Sequence, residues 1–144
     1  MRDELVGTWR LVSVRTISAS RKRNDAPYGA KPSGFIIYTA EGRMSATIGF
    51  DGRPPLSAND WRLAPAEERA EAFKTFLAYA GSYSVMEDRV IHHVEVSSVQ
   101  NWVNTDLLRM VRFAGDTIIL TTPPAGEEAL AYELTWQRLA PASS

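Results

Sequence analysis

The chain has 144 residues, a net charge of −1, 44% hydrophobic and 23% charged residues, and no cysteine. These totals suit one globular domain spanning residues 1–144. They exclude disulfide and thiolate chemistry and leave no electrostatic ground for nucleic acid or an anionic membrane as partner.

In chain order, alternating β-rich segments recur at Gly7–Ile17, Phe35–Ala40, Arg43–Phe50, Ser82–Met86, Arg89–Ser97, Thr105–Phe113, Thr117–Thr122 and Leu130–Leu139, which predicts eight strands. Met1–Trp9 leads into the first of them without the apolar core of a signal peptide. No apolar run approaches the ~20 residues of a membrane-spanning helix. A cytoplasmic protein is expected. A helical period occurs once, in PAEERAEAFKTFLAYAG (65–81), where Ala66, Ala70, Phe73, Leu77 and Ala80 share a face. Pro65 suits its first position and Gly81 its C-terminal cap.

The connections separate into two kinds. Tight turns at Glu41-Gly42, Glu87-Asp88 and Gly115-Asp116 join strands two to three, four to five and six to seven. Longer segments, 18–34, 51–81, 98–104 and 123–129, make the other joins. In an up-and-down antiparallel sheet alternate connections lie at one end, so the long loops gather there. Eight such strands close into a barrel without exposed edges, wide enough for one small ligand. The fold class read from the chain is therefore all-β: an eight-stranded antiparallel up-and-down barrel with one helix between strands three and four, available as a lid or plug at the mouth.

Gly7-Thr8-Trp9 on the first strand resembles the G-x-W signature of lipocalins. The ordered set LVGTWRLVS, GFIIYTAEGRMSATI, VIHHVEVSSVQNW and LTWQRL resembles the bacterial and fungal lipocalin-like domain family over nearly the whole chain. The resemblance implies a calycin-type barrel whose Trp9 closes the base against Arg138 of the last strand. It also implies likeness to enzymes of secondary metabolism that fold, cyclise, isomerise or dehydrate a bound intermediate in the barrel.

Strand alternation assigns the faces. Leu130, Tyr132, Leu134, Trp136 and Arg138 share the inner face of the last strand, and Met44, Ala46 and Ile48 that of the third. A three-residue turn with Gly42 in the left-handed region pairs Tyr38 with Met44 inside and turns Phe35 and Ile37 outward, which motivates a homodimer as a further expectation. On the fifth strand Val90, His92, Val94 and Val96 point in, and His93 points out beside Glu95. The two histidines therefore cannot share a metal, and no metal site or cofactor is expected. The Glu87-Asp88 turn sets Tyr83 opposite His92, a Tyr–His pair suited to proton transfer. Arg109 is placed inward on the sixth strand, and Trp102 at the mouth.

These placements give a ligand-binding set of Tyr38, Met44, Ile48, Tyr83, His92, Val94, Trp102, Arg109 and Tyr132. The expected partner is a small apolar or amphipathic molecule bound in the barrel. The alternatives are a cofactor-independent cyclase, isomerase or dehydratase with His92 as general acid/base assisted by Tyr83, a haem barrel with His92 as axial ligand, and a structural barrel filled by its own side chains.

Overall fold

Eight antiparallel strands close on themselves in the computed structural model, which describes residues 1–143. They are β1 (Gly7–Ile17), β2 (Ser33–Tyr38), β3 (Arg43–Gly49), β4 (Phe76–Met86), β5 (Arg89–Ser97), β6 (Asp106–Ala114), β7 (Thr117–Thr121) and β8 (Ala131–Arg138). Each pairs with its neighbours in sequence, and β8 returns to β1, from Trp9↔Arg138 to Ile17↔Ala131. A two-residue segment, Arg23–Asn24, adds to the mouth end of β1. No helix among the described residues is long and apolar enough to cross a membrane.

The turn chemistry is as read. Tyr38 pairs with Met44 and Gly42 sits at φ 91°, so β2–β3 is a three-residue hairpin. Phe35 and Ile37 accordingly face outward, and the Arg10 guanidinium lies over the Phe35 ring.

The helix is shorter than its periodicity suggests. α2 spans Ala66–Lys74 and buries no side chain; Phe73 is exposed. It is held by the segment before it: Glu68 accepts from the Ser57 backbone N–H and hydroxyl, and Arg53 donates to Ala72 O. It neither plugs the barrel nor packs a Phe73–Leu77 stripe against the core. From Phe76 onward the chain is strand, pairing with β3 from Gly49↔Phe76 to Arg43↔Ser82 and with β5 on its other side. Two ladders outweigh a weak local period, because a short helix without a buried face is marginal on its own.

Gly81, read as a helix cap, instead lies within β4. A Cβ there would come 1.9 Å from the His93 carbonyl oxygen, so the close approach demands glycine. The register shifts at this point: Ala80 faces Val96, whereas Gly81 faces Val94. Glu95 is the extra residue of a bulge, and a bulge reverses which face later side chains take. Val96 therefore points out and is exposed, although simple alternation placed it inside.

The base is sealed. A single helical turn, α1 (Arg2–Leu5), places Leu5 beneath the barrel, and Leu5 and Trp9 are both fully buried. The Trp9 indole donates to Leu5 O at 2.9 Å. The Arg138 guanidinium stacks 4.1 Å from the Trp9 ring and donates to the carbonyls of Val6 and Glu4. Met44 and Tyr83 fill the space above.

Candidate ligand-binding cavity

Above this floor the same inward alternation leaves room. A cavity of about 270 Å³ opens among Ile36, Ala46, Ile48, Leu77, Leu120 and Leu134, with Trp136 at one wall. That is space for about nine waters at their liquid volume of ~30 Å³, near the lower end of small-molecule sites. The small Ala46 side chain keeps β3 from filling it. At the rim, loop residue Tyr28 stacks on Phe50 with ring centroids 4.0 Å apart and leans toward Tyr132. Trp102 meets the Tyr79 ring edge-on.

His92 lies at the inner end, fully buried. Its Nε2 is 2.7 Å from the Tyr38 hydroxyl and its Nδ1 is 2.8 Å from the Tyr79 hydroxyl. Burial, reinforced by the positive charge of Arg109, pushes its pKa down to about 3, so the imidazole is neutral across the physiological range. Burial also raises the Tyr38 and Tyr79 phenols; for Tyr79 the Arg109 guanidinium pulls the other way, through its charge and its N–H groups. Tyr28 at the rim is raised to about 12 by burial. Arg109 itself donates to Leu108 O at 3.0 Å and has no carboxylate partner among the described residues.

Of the residues singled out from the sequence, Ile48, His92, Trp102, Arg109 and Tyr132 border the cavity. Tyr38 reaches it only through His92. Met44 and Tyr83 pack in the base, and Val94 is buried but outside the lining. Tyr83 does pair with His92 in register, yet its hydroxyl donates to Thr39 O at 2.8 Å; the ring points toward the base and the proton pair with His92 does not form. His93 faces out as expected, but its partners are Asp106, 2.7 Å away, and Ser84. Glu95 pairs instead with Arg43.

The sequence reading missed Tyr79 and Leu77, which it assigned to the helix. Leu77, Tyr79, Gly81 and Tyr83 share one strand face, and that spacing is the signal that could have found them. Tyr28 sits in a loop without periodicity and gave none.

Comparison with known proteins bears on this cavity directly. The family model described as "Lipocalin-like domain" matches residues 6–139. A 4'-hydroxy-3'-methoxypropiophenone carrier protein of Aspergillus oryzae is 34% identical over 108 residues, an alignment covering 67% of this chain and 96% of that protein. Barrel and relative together support the binding of a small molecule.

Proposed function

Since the chain belongs to the lipocalin-like domain family, we propose that it binds a small, mostly hydrophobic molecule non-covalently in the mouth half of its barrel. The observation that carries this reading is the cavity of about 270 Å³, walled by aliphatic and aromatic side chains with a few polar groups at its inner end. The aromatic faces of Tyr79, Trp102, Tyr132 and Trp136 suit a ring-bearing ligand. The relative is named as a carrier of an aromatic ketone, which supports the same class here.

A catalytic role for His92 is less well supported by the geometry. Both ring nitrogens already face tyrosine hydroxyls, so any acid–base work would have to pass through Tyr79. An axial bond to haem would need the same nitrogens. Self-association through Phe35 and Ile37 is a separate proposal, and a monomer by light scattering would remove it.

The test is saturable binding of 4'-hydroxy-3'-methoxypropiophenone and related aryl ketones, followed by tryptophan fluorescence and native mass spectrometry. One ligand per chain is expected. Ala46→Phe, which fills the cavity, should weaken binding at least about tenfold while the barrel stays folded. Equal binding by this variant, or no saturable binding by any member of the series, would overturn the proposal.

A further inference from the structure

The polar groups around the cavity are unequal in kind. Among the described residues none of the lining side chains is Asp, Glu, Asn or Gln. Arg109 and Trp136 carry donors only. Among the described residues the buried indole N–H of Trp136 has no acceptor, and Arg109 faces no carboxylate. The hydroxyls of Tyr28, Tyr79, Thr122 and Tyr132 also line the cavity and can each donate or accept; the one at the inner end, against His92, is that of Tyr79.

Hydrogen-bond accounting resolves it. A neutral imidazole has one N–H and one bare nitrogen, so His92 donates to one tyrosine and accepts from the other. Tyr38 is 1% exposed, and His92 is its hydroxyl's partner. If Tyr38 accepted from Nε2–H, its own hydrogen would be buried without an acceptor. Tyr38 must therefore donate to Nε2, which puts the imidazole proton on Nδ1, directed at the Tyr79 oxygen. That oxygen then acts as acceptor toward His92, an arrangement favoured by the positive charge of Arg109, which lines the same cavity. The Tyr79 hydrogen is left to point away, into the cavity. The opposite tautomer would turn Tyr79 toward His92 and offer the cavity a lone pair instead, with the reverse preference.

Resting on the binding function proposed above, we infer that the cavity selects ligands whose polar end is an acceptor oxygen, a carbonyl or a carboxylate, held by the Tyr79 hydroxyl beside Arg109, with Tyr38 and His92 positioning that hydroxyl. Ligands that would place an ammonium group at this inner end are disfavoured, since Arg109 and the Tyr79 hydrogen offer a cation and a donor where an ammonium needs an acceptor.

Four probes of similar size test this: propiophenone, 3-phenylpropanoate, propylbenzene and 3-phenylpropylamine, titrated by calorimetry. The ketone or the carboxylate should bind about tenfold or more tighter than propylbenzene, and the amine should bind weakest. Tyr79→Phe should erase the advantage over propylbenzene while propylbenzene itself stays within about threefold. Arg109→Leu tells the two oxygen classes apart: it should weaken the carboxylate more than the ketone. Tyr38→Phe, outside the cavity, should also erase the ketone advantage. Nitrogen-15 shifts of His92 should show a protonated Nδ1 and a bare Nε2. A protonated Nε2, an amine that binds as well as the ketone, or a Tyr79→Phe variant that keeps the ketone's advantage over propylbenzene would each overturn the inference. In those cases tight propylbenzene binding would still support an apolar binding cavity. If none of the four binds, the binding function itself fails.

Discussion

The two halves of this barrel are built from the same inward alternation and end differently. In the base, Trp9, Tyr38, Met44 and Tyr83 meet in one packed core, closed from outside by α1 and by Arg138 over the Trp9 ring. In the mouth half the inward residues are just as apolar, yet Ala46 is small, the helix that might have plugged the opening lies outside, and a cavity remains. Interior aromatic content therefore does not tell a filled barrel from an open one. What decides is whether a further element crosses the end.

That contrast sets the size of the expected effects. Trp9→Ala should be the most damaging change, about 3–5 kcal/mol in urea unfolding, because it empties the best-packed site. Leu134→Ala, which only widens an existing space, should fall near 2 kcal/mol, the low end of such substitutions. If the two cost the same, the division into packed base and open mouth is wrong.

Gly81→Ala should come next, at about 1–3 kcal/mol, because its Cβ would collide with the His93 carbonyl. The same shift would move Tyr79 and His92, so ligand affinity should drop with stability. A variant that loses stability but keeps full affinity would separate the bulge from the site.

His92 predicts a pH dependence with a definite sign. Its folded pKa, about 3, lies below the ordinary value of 6.5. Between those two values the unfolded chain takes up the proton and the folded one does not, so stability is lost as pH falls from 6.5 toward 3. The slope from this group is at most about 1.4 kcal/mol per pH unit. Urea unfolding at pH 7 and 4.5 should show a smaller loss for His92→Gln than for the parent; equal losses would place the imidazole in a more polar setting than described. His93→Ala, on the outer face, should change stability by only about 0.5 kcal/mol.

Much of the fold was legible in the chain because each cue for it is local. Period-two alternation, Gly42 in a three-residue turn and the split between tight and long connections all act within a few residues, and together they imply closure. The facing of His92 and His93 follows from the same parity. The remainder depended on long-range terms. Phe76–Gly81 has a helical period, and only the ladders to β3 and β5 turn it into strand. Val96 changes side because a bulge at Glu95 accommodates Gly81. The partners of His92 could not be read from register alone. Tyr83 stands opposite it, but the ring leans toward Thr39, while Tyr79 and Tyr38 reach in from elsewhere on the wall.

The proposed ligand site lies in the mouth half and the base is inert to ligand, and the four tryptophans report on both. Trp102 and Trp136 line the cavity, Trp9 is sealed in the base, and Trp61 is exposed on the loop before α2. A titration with propiophenone, followed by the indole signals in a nitrogen-15 correlation spectrum, tests this most directly. Trp102 and Trp136 should move together and saturate, while Trp9 and Trp61 stay still. Saturable movement confined to Trp61 or Trp9, or silence from Trp136 at a concentration where calorimetry shows the site full, would contradict it.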